Sequence, residues 1–121
     1  MDEHLQISVR EFEGILLVDL SGKIDAVSSD YYEGELKNRI DSGIKNIILN
    51  MAQLSYISSS GLRILLIASK RLKQTGGMIV LADMQPGPAG VFKMTGFDRL
   101  FPVFGTMDEA IIFIRAKNNN I

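Results

Sequence analysis

Apolar and polar positions alternate at Leu5, Ile7 and Val9, the period of a strand with one buried face. Glu13-Gly14 is a turn signal, and the mostly apolar run Ile15–Leu20 reads as the returning strand of a hairpin, ended by Gly22. The period then changes. Tyr32, Leu36 and Ile40 recur every four residues after Ser28-Ser29-Asp30, a helix start whose side chains accept from free N–H groups, and Gly43 closes that helix. Asn46–Met51 holds Ile47-Ile48-Leu49 without alternation, as in a strand covered on both faces. Ser58-Ser59-Ser60-Gly61 opens a helix to about Thr75, with Leu62, Leu65, Leu66 and Leu72 inward and Ile64 and Ile67 close by. Gly76-Gly77 stops it, and Met78–Ala82 is a second all-apolar strand. Pro86-Gly87-Pro88 reads as a loop into a short helix, Ala89–Thr95, capped by Gly96. Leu100–Phe104 suits an edge strand, the place where Pro102 is tolerated. Thr106-Met107-Asp108-Glu109 is a capping box that starts a last helix with Met107, Ala110, Ile111 and Ile114 on one face.

The order ββαβαβαβα predicts one α/β domain over residues 1–121: a mixed, mostly parallel sheet of about five strands, an N-terminal β-hairpin and about four helices. No linker, repeat or low-complexity stretch divides the chain, and residues 117–121 read as a frayed tail.

Composition narrows the chemistry. The chain of 121 residues carries 13 Lys+Arg against 14 Asp+Glu, a net charge of −1, so it lacks the clustered positive excess that nucleic-acid phosphates require. Cysteine is absent, which removes disulfides, thiolate catalysis and zinc–thiolate sites. The one histidine, His4, has no partner ligands in sequence and reads as a solvated terminal residue. No spacing suggests a cofactor, and the Gly87–Gly90 stretch lacks the pattern of a phosphate-binding loop. The start Met1-Asp2-Glu3-His4 is acidic, unlike a signal peptide. The longest apolar runs, Gly14–Leu20 and Ile64–Ala68, fall far short of the ~20 residues that span a bilayer. A cytoplasmic protein with no membrane insertion is the simplest expectation.

Three consecutive serines between a strand and a helix are the most informative feature. Two readings stand side by side. One is a doubled N-cap. The other is an exposed hydroxyl that accepts a phosphate, whose charge of about −1.5 to −2 suits free N–H groups at a helix start.

At these residues the chain resembles the STAS domain, the family of bacterial anti-sigma factor antagonists. Ser58-Ser59-Ser60-Gly61-Leu62 matches the family's Asp-Ser-Ser/Thr/Ala-Gly-Leu loop, with Ser58 in the place of the Asp. Gly22-Lys23-Ile24-Asp25 matches its Gly-x-Leu/Ile-Asp segment, and Thr95-Gly96-Phe97-Asp98-Arg99-Leu100-Phe101 its Thr-Gly-Leu-x-x-x-Phe stretch. The segments occur in the family's order, and the resemblance runs from Leu5 to about Ala116. It implies that Ser59 is the phospho-acceptor, with Ser58 and Ser60 as substitutes. It implies a partner-binding loop of Asp25, Ser58, Ser59, Ser60, Gly61 and Arg63. The implied partner is an anti-sigma factor that is also a serine kinase, bound when the serine is bare and released on phosphorylation, with a separate serine phosphatase to reset it. The chain would then be a substrate and not an enzyme, a monomer or weak homodimer. The same family supplies an alternative, a non-switching adaptor subunit of a lipid-transport ABC system or sensory complex, which the missing Asp fits.

Other residues carry paired readings. Asp25 is a helix-dipole partner or borders the serine loop. Arg63, in the first turn of its helix, is a partner or phosphate contact or a plain exposed arginine. Tyr32 fits the core stripe, and Tyr31 falls outside it, exposed. Met84, Phe92 and Met94 read as core, with a soft surface as the alternative. A nucleophilic enzyme built on Ser59 or Ser60 would need a base that no pattern supplies.

Overall fold

A computed structural model describes residues 4–118. The strands are β1 (Gln6–Phe12), β2 (Ile15–Ile24), β3 (Asn46–Ile57), β4 (Met78–Ala82) and β5 (Val103–Phe104). The helices are α1 (Ser29–Asp41), α2 (Ser59–Gln74), α3 (Pro86–Thr95) and α4 (Met107–Asn118). One sheet runs in the order β1-β2-β3-β4-β5, antiparallel between β1 and β2 and parallel thereafter. The expected α/β architecture is therefore present, as a single domain with a five-stranded mixed sheet.

The hairpin turns on Glu13 and Gly14, both at positive φ (52° and 80°), the two-residue geometry that matches strand twist. Alternation along β3 then divides the core. Ile47 and Leu49 join Tyr32 and Leu36 of α1, Leu62, Leu65 and Leu72 of α2, and Phe92 of α3. Ile48 faces the other way, with Ile15, Leu17, Val80 and Ala82, under Ala110 and Ile114 of α4. The apolar strands that lacked alternation are thus covered on both faces.

Several boundaries differ from expectation. Gly22 does not end β2. It sits at φ 97° inside it, where the β2–β3 register shifts between Gly22 and Lys23. A bulge keeps the two strands paired, so β3 also runs on to Ile57. The helix α3 begins at Pro86, because first-turn N–H groups need no partner and the proline φ is already helical. Only Val103 and Phe104 of the expected last strand pair with β4. Residues Phe97–Arg99 form a 3-10 turn, and Phe101 is buried edge-on against Phe92 at 6.4 Å. Leu66 is only half-buried, and Met94 is 86% exposed instead of core. Lys117 and Asn118 are helical, with Asn118 accepting from Asn46 at 3.3 Å, so the frayed tail does not begin at residue 117. The rest of that expected tail lies outside the described residues.

Candidate functional site

The three serines lie where β3 ends and α2 begins, beside the end of β2 and the start of α1. Ser58 is the N-cap of α2, with extended backbone (φ −83°, ψ 168°). Its hydroxyl accepts from the Gly61 N–H at 3.2 Å, and its carbonyl takes the Leu62 N–H at 3.0 Å. Its own N–H donates to the Ile24 carbonyl at 2.8 Å, which ties the cap to the last residue of β2.

Glycine at position 61 is a steric requirement. A Cβ there would stand 2.7 Å from Ile24 Cγ2 and 2.9 Å from Ile57 Cγ1. Only a residue without one lets the helix start so close to the strand ends.

The serine hydroxyls form a directed chain. Ser29 Oγ donates to the Asp25 carbonyl at 2.7 Å. A hydroxyl has a single proton, so at the 2.9 Å contact between Ser29 and Ser60 the donor is Ser60. By the same count Ser58 donates to Ser60, also at 2.9 Å. The chain runs from the Gly61 N–H through Ser58, Ser60 and Ser29 to the Asp25 carbonyl, and joins the starts of α1 and α2.

Asp25 and Ser28 hold the approach to α1. Asp25 Oδ1 accepts from the N–H groups of Val27 (3.1 Å) and Ser28 (3.0 Å), and the one proton of the Ser28 hydroxyl is shared between the Lys23 carbonyl at 3.0 Å and Asp25 Oδ1 at 3.2 Å. Those donors, the Ser28 N–H first, keep the carboxyl below its ordinary range against the opposing effect of desolvation. Ser28 stands at the N-cap of α1 as expected, and its carbonyl takes the Tyr32 N–H at 3.1 Å, but its side chain makes no cap bond. Its hydroxyl turns back to accept from the Asp25 N–H at 3.0 Å.

Ser59 stands apart from this network. It is the first residue of α2, exposed, and its hydroxyl has no partner among the described residues. Arg63 is exposed on the same helix, at the start of the second turn and not in the first. Of the residues assigned to the loop, Asp25, Ser58, Ser60 and Gly61 are drawn together, while Ser59 and Arg63 face outward. Sequence reasoning missed Ser29, the buried link 31 residues from Ser60. Its only trace in sequence was the helix start it belongs to. Among the described residues no group of His, Cys, Asp or Glu is arranged to hold a metal, and no helix is long and apolar enough to cross a membrane.

Comparison with known proteins matches residues 6–110 to the STAS domain model. BtrV of Bordetella bronchiseptica, by its description a candidate anti-sigma factor antagonist, is 32% identical over 106 residues, 88% of this chain and 91% of that one. Among solved structures, an anti-sigma factor antagonist from Mycobacterium paratuberculosis superimposes with TM-score 0.87 at 23% identity, covering 95% of this chain and 97% of the other. SpoIIAA, an anti-sigma factor antagonist and Bacillus cell fate determinant, matches in its unphosphorylated form with TM-score 0.79 at 24% identity, over 93% and 97% of the two chains. Its phosphorylated form matches with TM-score 0.70 at 23% identity, over 92% and 99%.

Proposed function

Since the chain belongs to the STAS domain family, we propose that it is a cytoplasmic anti-sigma factor antagonist whose binding to an anti-sigma factor is switched off by phosphorylation of Ser59. The names of its relatives support the first part of this reading. One observation supports the second. Of three adjacent serines, Ser58 and Ser60 have their hydroxyls committed to the chain that joins two helices, and Ser59 alone is exposed and unpartnered among the described residues.

The chemistry asks little of this protein. The Ser59 Oγ attacks the γ-phosphorus of ATP held by the partner kinase, the bond to the β-phosphate oxygen breaks, ADP leaves, and the hydroxyl proton passes to the kinase's base. Every catalytic group is the kinase's. A phosphate of about −1.5 to −2 charge then occupies the surface that the partner would cover, where burying it is unfavourable, and the complex separates. A phosphatase returns the serine by hydrolysis: water attacks the phosphorus, the bond to Ser59 Oγ breaks, Oγ takes a proton and inorganic phosphate leaves. Ser58, standing where the family pattern has Asp, still caps α2 through its hydroxyl, so the loop keeps its shape without a carboxylate.

Affinity capture of the protein from its host, followed by phosphopeptide mass spectrometry, tests this reading. The expected result is phosphate on Ser59 and co-capture of an anti-sigma kinase, with Ser59→Ala binding it permanently and Ser59→Asp weakly. Both variants binding like the wild type would remove the switch, and co-capture of a transporter ATPase instead would favour the adaptor reading.

A further inference from the structure

We infer that Arg63 is the intramolecular partner of a phosphate on Ser59, and that it faces the partner protein when Ser59 is bare. This rests on the reading that Ser59 is the phosphorylated residue. Ser59 and Arg63 are four residues apart in α2 and share one outward stripe, at the separation where side chains on a helix meet. The order is the favourable one, with the anionic position N-terminal to the cationic one.

The guanidinium is available. Arg10, Arg71 and Arg115 each sit on a carboxylate, of Asp19, Asp41 and Glu13 respectively, while among the described residues Arg63, like Arg39 and Arg99, does not. Arg63 has no hydrogen bond or ion pair among the described residues. The first turn of α2 contains no acidic residue, and position 58 is a neutral serine, so nothing along the helix competes for the cation. At the second turn the macrodipole no longer opposes a cation, so the pairing rests on the i, i+4 spacing and on the phosphate's charge. The planar fork of arginine can take two phosphate oxygens at once.

The switch is then a charge exchange. Phosphorylation adds negative charge at Ser59 and in the same step withdraws one exposed cation from the binding face. The partner loses an attractive group as well as meeting a repulsive one.

The test uses the full chain with phosphoserine encoded genetically at position 59, so that no kinase is involved. The second ionisation of the phosphate is followed by phosphorus NMR at low salt. Arg63→Gln should raise that pKa by about 0.15–0.4 unit, and Arg63→Lys should restore most of the difference. In ~1 M salt the difference should largely vanish. Lys23 near the end of β2, Asp25 just past it, and Asp30 and Glu33 at the start of α1, the helix packed on α2, are the same in every variant. If the phosphoprotein with Arg63 intact and the phosphorylated Arg63→Gln variant titrate alike, the pairing is overturned. Binding of the same phosphoproteins to the anti-sigma factor is measured separately. Retained binding would overturn the switch while leaving the pairing intact.

Discussion

Two helices of this domain start with the same cap and finish it differently. Ser58 of α2 accepts from the Gly61 N–H at 3.2 Å, and Thr106 of α4 accepts from the Glu109 N–H at 3.1 Å. Three residues past the cap they part. Glu109 reaches back to the Thr106 N–H at 3.1 Å and closes a capping box. At the equivalent place α2 has Gly61, where Ile24 and Ile57 leave no room for a side chain. The Ser58 N–H is satisfied by the Ile24 carbonyl instead. The start of α4 is self-contained. The start of α2 is assembled from the ends of β2 and β3 and the start of α1, with no carboxylate of its own. That difference leaves one hydroxyl at the start of α2, that of Ser59, exposed and uncommitted among the described residues.

The sharpest way to break this comparison is at the residue three past each cap. Gly61→Ala should destabilise the fold by about 1–3 kcal/mol, because its new methyl must displace either strand end. Glu109→Ala meets no such obstacle and should lose only the box, less than ~1 kcal/mol. Urea midpoints for the two variants decide it. Equal losses would mean that close packing does not govern the start of α2.

The caps themselves come next. Thr106→Ala should cost about 1 kcal/mol. Ser58→Ala should cost more, toward ~2 kcal/mol, since it removes the acceptor of the Gly61 N–H and the donor to Ser60 together. A double-mutant cycle sharpens the point. Ser58→Ala and Ser29→Ala should be non-additive through Ser60, while Thr106→Ala and Ser29→Ala should add within experimental error.

The same contrast explains what was legible in the chain. The Thr106 box lies within four residues, so its pattern carries its whole mechanism. The helix start at Ser58 was equally visible, because an N-cap is a local signal. Which serine is tied and which is exposed was not, since Ser60 is held by Ser29 from another element. The extension of β3 to Ile57 was hidden for a related reason. It depends on a bulge at Gly22 in the paired strand, and the residue that reads as a stop is the one that permits the pairing. Family resemblance supplied the link between the Asp25 segment and the serine loop. The contact itself runs through the Asp25 carbonyl, which every residue possesses and no sequence pattern marks.

The smallest expected effect concerns the charge that α2's corner borrows from its neighbour. Asp25 is held below its ordinary carboxyl pKa first by the Ser28 N–H, then by the Ser28 hydroxyl and the Val27 N–H, against desolvation. A carboxyl whose folded value lies below its unfolded value of 3.8 stabilises the fold fully above that pH. The contribution is lost as pH falls through the lower, folded value. Asp25→Asn keeps an oxygen in place to accept from Val27 and Ser28 but cannot titrate. The stability gap between wild type and Asp25→Asn should therefore be constant from neutral pH down to about pH 5 and close below about pH 4. Urea midpoints measured across that range test it. A gap that persists at about pH 2 would show that the turn before α1 is held by shape alone, and that the serine chain ends on a carbonyl whose position owes nothing to the charge beside it.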